Sequence, residues 1–271
     1  MACRASVSFS IEAFVSDGTS VRSPVAGGFD AIVATSISTP VSDTCESATG
    51  WVVGAATDTA TAGIWVNADP VGTAAQPEND HTASGTRCWV TGNGAVGGSV
   101  GAADVDGGTT TLTSPAYSVA SLQDPYVSYW RYYSNNQGAD PNNDSMPIQI
   151  SGNGGTSWVQ LELVTENAGD WVQRSFRVLD YVTPTSGTVK LRFLARDLGA
   201  GSVVEAAIDD VEISDISCAV EGDLDGDGVV GGGDIAILLL DFGACPGCPS
   251  DLDGSGTVDA GDIAFLLLLF T

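Results

Sequence analysis

Two groups of oxygen-bearing side chains near the end of the chain share one spacing. The first group occupies positions 1, 3, 5 and 12 of a twelve-residue loop: Asp223, Asp225, Asp227 and Asp234. The second group repeats this arrangement and adds an oxygen at position 9: Asp251, Asp253, Ser255, Asp259 and Asp262. A hard cation of the size of Ca2+ takes six to eight oxygen ligands, and a loop with this spacing supplies them. The repeat therefore predicts two calcium sites.

Two backbone positions complete each loop. Position 6 is Gly228 or Gly256, where the chain must turn sharply and glycine is tolerated. Position 7 contributes a backbone carbonyl, from Val229 in the first loop and from Thr257 in the second. Because position 9 of the first loop is Gly231, we expect a water to complete that coordination shell.

A short apolar segment follows each loop, at 235–242 and at 263–270. Both segments are predicted helices begun by the position 12 aspartate, because an acidic residue is favoured at a helix start. Neither loop is preceded by a helical pattern. The apolar residues at position 8, Val230 and Val258, are predicted to join the two loops through a short backbone bridge.

Residues 221–271 resemble the type I dockerin repeats of secreted bacterial polysaccharide-degrading enzymes and other exoproteins. The resemblance rests on the paired loops, the aspartate at position 12 and the missing helix before each loop. It implies two Ca2+ ions, an antiparallel helix pair with internal twofold symmetry, and docking to a cohesin domain. Dockerins usually carry polar or bulky recognition residues at loop positions 10 and 11, whereas this chain has Gly232, Gly233, Ala260 and Gly261.

The alternatives for this tail are therefore docking to a cohesin, docking to another cell-surface partner, and calcium-dependent folding alone. Residues 219–271 contain ten acidic residues and no Lys or Arg, and helices this short do not persist alone, so each alternative needs calcium for folding. The helices are apolar around most of their circumference. We expect the surplus apolar surface to be covered by the preceding domain or by a partner.

The composition of the whole chain limits its class. The formal net charge is -25, which disfavours nucleic acid and anionic membrane surfaces as partners. The apolar segments of the tail are too short to span a bilayer. No signal peptide is visible in residues 1–10, yet dockerin-like tails belong to exported proteins. We therefore expect a secreted protein that has lost its N-terminal part, with 1–38 as the last strands of a preceding immunoglobulin-like module.

Between the two ends the chain is rich in Thr, Ser, Gly and Val, which is typical of β structure with many turns. Alternating and aromatic segments predict ten strands, at 51–53, 63–66, 87–91, 109–113, 126–133, 147–151, 158–163, 171–179, 189–195 and 207–213. The fold class is therefore mainly β. We expect an antiparallel jelly-roll β-sandwich at 39–216, followed by a small dockerin-like pair of calcium loop-helix repeats at 217–271.

Several segments of the sandwich resemble the accessory jelly-roll domain found behind secreted bacterial peptidases, which is distantly similar to MAM and carbohydrate-binding jelly rolls. They include QPENDHT at 76–82, CWVTG at 88–92, DVDGGTT at 104–110, SGNGGTSW at 151–158 and VEAAIDDV at 204–211. The resemblance implies binding or support, and a structural calcium that ties loop to strand. The predicted ligands of this third ion are Asp104, Asp106 and Asp210, with help from Asp80 or Glu78.

The sandwich carries few residues that indicate catalysis. His81 is the single histidine, and there is no Gly-x-Ser-x-Gly motif for a nucleophile. Asp209 and Asp210 are adjacent, and adjacent strand residues point to opposite faces, so that they cannot flank one glycosidic bond. The chain is therefore predicted not to be an enzyme, and an enzyme of the glycosidase or peptidase type is kept as a rival class.

Six cysteines and six tryptophans leave further alternatives. Cys45 with Cys88 is the favoured disulfide in the sandwich, and Cys245 with Cys248 forms a structural staple in the tail, with Cys218 as another partner for either sulfur. The tryptophans lie on or beside strands, where core packing is their ordinary role. An exposed aromatic face on 128–133 would instead bind glycan.

The sequence thus predicts a non-catalytic, calcium-binding C-terminal part of a secreted bacterial multidomain protein. Its role would be to attach or stabilise an upstream hydrolase that this chain lacks, with a cohesin or cell-surface partner. The alternative functions are those of a carbohydrate-binding module, or of a glycosidase or peptidase in its own right.

Overall fold

The computed structural model describes residues 6–14, 16, 19–23, 29–32, 34, 36–199, 201–217 and 220–270. The chain forms two compact units: a larger one that contains residues 37–216, and a smaller one that contains the C-terminal segment from 217. Cys3 and Cys218 lie outside the described residues. Among the described residues, no helix is long and apolar enough to cross a membrane.

The chain begins with four short strands and a longer one: β1 (Ser6–Phe9), β2 (Ile11–Phe14), β3 (Ser20–Ser23), β4 (Phe29–Ile32) and β5 (Ser36–Asp43). β2 and β3 form an antiparallel hairpin, and β1 pairs with β4. β5 spans the boundary expected between residues 38 and 39. It pairs with β16, a strand of the larger unit.

Eleven further strands build the larger unit. They are β6 (Val52–Val53), β7 (Trp65–Ala68), β8 (Cys88–Thr91), β9 (Gly108–Thr113), β10 (Tyr117–Ser118), β11 (Pro125–Gly138), β12 (Met146–Ser151), β13 (Val159–Val164), β14 (Val172–Arg177), β15 (Thr188–Asp197) and β16 (Ser202–Ser217). A single turn of 3-10 helix, Val178–Asp180, follows β14. The predicted mainly-β class is confirmed, and each of the ten predicted strands overlaps an observed one.

These strands form two sheets. The first sheet has the order β13-β12-β15-β9-β6, with β10 paired to β15. The second sheet has the order β14-β11-β16-β8-β7, with β5 paired to β16. Neighbours such as β11 and β14, or β12 and β15, run antiparallel. The structure is therefore a sandwich of two antiparallel sheets.

The core lies between the two sheets. The central strand β15 buries Val189, Leu191, Phe193 and Ala195 completely, as its alternating pattern predicts. Its basic residues Lys190, Arg192 and Arg196 are half-buried on the other face of the first sheet. From the second sheet, Val127, Tyr129 and Tyr133 of β11 enter the same core.

The smaller unit contains β17 (Gly243–Ala244), β18 (Thr257–Val258) and two helices, α1 (Gly232–Leu240) and α2 (Ala260–Leu268). The helices begin at loop position 10, not at position 12 as the sequence predicts. The reason is that position 9 caps each helix, while the position 12 aspartate lies in the first turn and accepts a hydrogen bond from the capping residue's backbone N–H. The predicted bridge between Val230 and Val258 is not among the backbone pairings of the described residues, and Val258 pairs with Gly243.

A small apolar cluster holds the smaller unit together, with Val230, Leu238, Val258 and Leu266 fully or almost fully buried. The two helices are equivalent in exposure. Leu239 and Leu267 are 52% and 53% exposed, and Leu240 and Leu268 are each 85% exposed. The internal repeat of the sequence is thus a repeat of structure.

Candidate functional site

Each tail loop gathers three carboxylates. Asp223, Asp225 and Asp227 each offer an oxygen, and these oxygens lie within 4.8 Å of one another. In the second loop the same is true of the carboxylates that occupy positions 1, 3 and 12, namely Asp251, Asp253 and Asp262. Six of the predicted ligands therefore converge as two separate groups, and Asp234 and Asp259 lie outside those groups.

Backbone N–H groups hold the position 1 carboxylates in place. Asp223 accepts hydrogen bonds from the N–H groups of Gly226, at 2.8 Å, and Gly228, at 2.9 Å. Asp251 likewise accepts one from Gly256, at 2.9 Å. Gly228 and Gly256 both have φ of +87°, a left-handed conformation that favours glycine. The glycine at position 6 thus permits the turn and donates a hydrogen bond to the first ligand.

The position 12 aspartates organise each loop from its far end. Asp234 accepts from the N–H groups of Leu224 at 2.6 Å, Asp225 at 3.1 Å and Gly231 at 2.7 Å. The equivalent Asp262 accepts three bonds from matching positions. In both cases the backbone hydrogen bonds lower the pKa of the carboxyl, which keeps it ionised as a metal ligand must be.

The second loop also leaves one oxygen without a partner. Oδ1 of Asp251 is buried and accepts no hydrogen bond from any described residue. The hydroxyl of Ser255 donates to the carbonyl oxygen of Thr257 at 3.0 Å, which brings the position 5 and position 7 ligands together. Asp259 instead caps α2 by accepting from the N–H of Gly261 at 2.7 Å. Clustered carboxylates, a carbonyl and an unpartnered oxygen suit Ca2+.

The residues predicted to hold a calcium in the sandwich do not form one cluster in the described structure. Asp104 is 4% exposed, and burial together with the charge of Asp106 raises its pKa to about 6. Asp210 belongs to another group: Oδ2 lies 2.6 Å from Nδ1 of His81, and Oδ1 accepts from the hydroxyl of Thr82 at 2.7 Å. The predicted ligands thus fall into two groups. Asp104 lies near Asp106, and Asp210 contacts His81.

Asp209 and Asp210 reach the same residue, contrary to the expectation that they point to opposite faces. Oδ2 of Asp209 accepts from the backbone N–H of His81 at 2.8 Å, while Asp210 contacts the imidazole. The register of β16 against β11 shifts at this point, and Asp210 has φ of +44°. An extra residue in a strand redirects side chains, so the bulge overturns the argument from alternation.

His81 itself lies flat on an aromatic ring. Its imidazole stacks on Trp130 with ring centroids 3.7 Å apart and an angle of 17° between the planes. Burial raises the pKa of neighbouring Asp209 to about 7. Among the described residues, no serine or cysteine side chain is hydrogen-bonded to His81. The contacts of His81 are thus those of a residue that fixes the loop 69–87 on the second sheet.

The favoured disulfide of the sandwich is wrong: Cys45 and Cys88 are both buried free thiols. They lie close to each other, since Nδ2 of Asn67 donates to the carbonyl oxygens of both, at 2.6 and 3.3 Å. The thiols belong to different apolar clusters, that of Cys45 in the core and that of Cys88 on the outer face of the second sheet. In the tail, Cys245 and Cys248 are joined by a disulfide.

A groove of about 440 Å³ lies on that outer face. Tyr132 of β11 and Trp171 form its aromatic side, with ring centroids 6.2 Å apart and planes at 67°. Thr73, Gln76, Pro77, Glu78, Asn79 and Asp80 line one side, and Gly169 and Asp170 line the other. We refer to this feature as the Trp171 groove.

Polar groups surround the aromatic side of the Trp171 groove. The indole N–H of Trp171 donates to the carbonyl oxygen of Asn79 at 3.3 Å, which fixes the ring. Burial raises the pKa of Tyr132, and the negative charges of Asp170 and Glu205 add to the shift. Burial and the charge of Glu46 also raise the pKa of Asp80. Trp171 is the half-buried ring of the two, and such a ring with nearby carboxylates and amides can hold a sugar by stacking and hydrogen bonding.

The remaining aromatic residues behave largely as the sequence predicts. Trp51, Trp65 and Trp89 are buried in the core. Tyr129 and Tyr133 of β11 face the core, while Trp130 and Tyr132 take the outer face. That outer face is covered in part by His81 and Trp171. Sequence reasoning identified the face but not the groove, because Asn79 and Asp170 come from loops that are 91 residues apart and meet only in the fold.

No protein-family model matches the chain, and no curated protein matches it. Among solved structures it is similar to the K1 cleaved adhesin domain of Lys-gingipain from Porphyromonas gingivalis W83, with 18% identity over 65% of this chain and 97% of that chain and a TM-score of 0.41. It is also similar to the CBM22-1 xylan-binding domain of Paenibacillus barcinonensis Xyn10C (15% identity, 69% and 100% covered, TM-score 0.35). A third similar structure is TmCBM61 in complex with β-1,4-galactotriose (15% identity, 61% and 88% covered, TM-score 0.36).

Proposed function

We propose that this chain is a non-catalytic accessory part of a secreted protein, whose tail folds around two Ca2+ ions. The observation that carries this proposal is the convergence of three carboxylates in each tail loop, within 4.8 Å. Three negative charges at that distance repel one another strongly unless a cation joins them. The buried and unpartnered Oδ1 of Asp251 supports the same conclusion.

The ligands of the first ion are Asp223, Asp225, Asp227 and the carbonyl of Val229, with Asp234 closing the loop. Those of the second are Asp251, Asp253, Ser255, the carbonyl of Thr257 and Asp262. Bound calcium would offset part of the negative charge of each loop and hold α1 and α2 by their N-terminal turns. The tail would then present exposed leucines, 239–240 and 267–268, to a cohesin or another cell-surface partner that anchors an upstream hydrolase.

A calcium titration of the full chain followed by calorimetry and far-UV circular dichroism tests this proposal. We expect the helical signal to fall when calcium is chelated and to return when it is restored. Asp223→Ala and Asp251→Ala should each remove one bound calcium, because each deletes the position 1 ligand of one loop. An unchanged helical signal in chelator, or an unchanged stoichiometry in both variants, would refute the calcium role.

A second function, glycan binding by the sandwich, is favoured by one specific observation. The Trp171 groove combines two aromatic rings with the exposed side chains of Glu78, Asn79 and Asp170. Sugars offer apolar faces that stack on aromatic rings and hydroxyls that bond to carboxylates and amides. We therefore propose an uncharged polysaccharide as the ligand of this groove, because its carboxylates would repel an anionic one.

A further inference from the structure

Three basic side chains share the outer face of the first sheet. Lys190, Arg192 and Arg196 belong to β15, whose residues 189, 191, 193 and 195 point into the core. Alternation therefore places the three bases on the opposite face, where each is half-buried. Two residues of a strand span about 7 Å, so the three charges extend over about 20 Å of the sheet. We refer to these three residues as the basic strip.

The basic strip has no acidic partner in the described part of the chain. The whole chain carries 34 acidic residues against nine basic ones, so that a base has many possible partners. In the second sheet, Arg131, Arg174 and Arg177 each form an ion pair with a carboxylate. No strip residue does so with any described residue. The strip is therefore a positive surface on a strongly negative protein.

The charge of Asp58 acts on Arg192, but its carboxylate is engaged elsewhere. It accepts hydrogen bonds from the backbone N–H groups of Ala55 at 3.0 Å and Thr111 at 2.8 Å, and from the hydroxyl of Thr111 at 2.6 Å. Burial lowers the pKa of Arg192, and the positive charge of Arg196 adds to that shift. Because an arginine keeps its proton in proteins, an anion bound here would relieve both costs.

Arg192 is held so that one end of its guanidinium stays free. Its Nε donates a hydrogen bond to Oε1 of Gln149, the residue opposite it on β12. Its guanidinium carbon lies 4.4 Å from the ring centroid of Trp158, a cation–π contact that orients the group. No described residue accepts a hydrogen bond from its two terminal nitrogens. The N–H groups of these nitrogens form a fork that matches the two oxygens of a carboxylate.

The surroundings of the basic strip favour a sugar acid over other anions. β15 is paired with β12 on one side and with β9 on the other, so an acidic peptide cannot join it as an added strand. The net charge of -25 repels a densely charged polymer such as nucleic acid. Trp158 lies half-buried beside Arg192 and adds an aromatic surface for the apolar face of a sugar.

We infer that the basic strip binds the carboxylate groups of an acidic polysaccharide, of the class built from uronic acids. Arg192 takes one carboxylate through its free fork, and Lys190, about 7 Å along the strand, supplies a second positive charge. The Trp171 groove lies on the outer face of the second sheet, so the two surfaces are separate and neither depends on the other. The larger unit would then have one face for a neutral glycan and another for an acidic one.

Isothermal titration calorimetry of the full chain with tetragalacturonate tests this site, at one fixed calcium concentration. Every arm carries Trp171→Ala, so that the groove contributes no signal, and the parent chain should bind tetragalacturonate equally well. We expect one bound oligosaccharide per chain and an affinity that falls as NaCl is raised, because salt screens the charges. The methyl ester of the same oligosaccharide has no carboxylate and should bind at least about tenfold more weakly.

Substitutions of one residue separate the fork from the charge. Arg192→Gln removes both and should weaken binding by about tenfold or more, while Arg192→Lys keeps the charge alone and should lie in between. The matched control Arg87→Gln removes one charge from an exposed arginine outside the strip and should bind as the parent does. Lys190→Gln repeats the test at the neighbouring position, for the case in which Arg192→Gln lowers the melting temperature.

Four outcomes would overturn the inference. The first is that tetragalacturonate does not bind, or binds no better than its methyl ester. The second is that Arg87→Gln weakens binding as much as Arg192→Gln and Lys190→Gln do, which is the behaviour of net charge alone. The third is that hexaglutamate competes as well as the sugar acid, which would assign the strip to acidic peptides. The fourth is that Trp171→Ala alone abolishes binding, which would place the ligand in the Trp171 groove.

Discussion

Arg131 of β11 and Glu162 of β13 form an ion pair that joins the two sheets, with 3.0 Å between Nε and Oε1. Arg131 is only 2% exposed. The same carboxylate accepts a hydrogen bond from the hydroxyl of Tyr129 at 2.8 Å and lies 3.2 Å from Nε of Arg174. A buried cation of the second sheet thus takes its main partner from the first sheet.

Removing one partner of this buried pair is expected to lower the free energy of unfolding much more than removing one partner of an exposed pair. Glu162→Gln leaves the Arg131 guanidinium buried with only the more exposed Glu166 as its partner. We expect a loss of about 3–5 kcal/mol in the free energy of unfolding. The control Asp180→Asn removes an exposed partner of Arg177 and should cost less than about 1 kcal/mol. Urea unfolding followed by tryptophan fluorescence measures both, and equal losses would contradict the prediction.

Glycan binding in the Trp171 groove should depend on the ring that forms one side of it. Trp171→Ala removes the stacking surface and should weaken binding to a neutral polysaccharide by at least about tenfold, or about 1.4 kcal/mol. The matched control is Trp158→Ala, which removes a ring stacked under Arg192, outside the residues that line the groove. Affinity electrophoresis in gels that contain xylan or galactan compares the two variants. Equal retardation of both would place the glycan elsewhere.

The strands of the sandwich could be predicted because their signals are local. Alternation along β15 and turn residues between segments are visible within ten residues or so. The order of the strands was not predictable in this way. β5, for example, was not among the predicted strands, yet Thr39 lies 3.2 Å from Ser214, a residue 175 positions away along the chain. Only the tertiary fold reveals such a contact.

The candidate sites also differ in how far apart their residues lie along the chain. The tail loops could be predicted because every ligand falls within twelve residues. The Trp171 groove joins Asn79, Tyr132 and Asp170, which come from three distant segments. The bulge at Asp210 left no sequence signal, and it reversed the argument that adjacent carboxylates point apart.

The two free cysteines of the sandwich should resist alkylation in the native protein. Burial raises the pKa of both Cys45 and Cys88, so little reactive thiolate forms at neutral pH. We expect iodoacetamide to modify neither residue until denaturant is added, after which both should react, as peptide mass analysis would show. The disulfide-bonded Cys245 should stay unmodified without reductant in both cases. Failure of Cys45 and Cys88 to react after denaturation would restore the disulfide that the sequence favours.

Glu205 should make the stability of the larger unit depend on pH. Its side chain is 3% exposed and accepts one hydrogen bond, from the hydroxyl of Thr91 at 2.8 Å. Burial raises its pKa from the usual 4.5 to about 8. Between these values the folded chain keeps a proton that the unfolded chain releases, so the contribution of Glu205 to stability falls as the pH rises from about 4.5 to 8.

The neutral variant Glu205→Gln should remove this part of the pH dependence. It keeps the shape and the acceptor for Thr91, and it cannot become a buried anion. We expect the variant to equal the parent near pH 5 and to have the higher urea midpoint at pH 9, at the same calcium concentration. The exposed control Glu12→Gln should follow the parent at every pH. Superimposable curves for the parent and Glu205→Gln would show that the Glu205 carboxyl is already ionised in the folded chain.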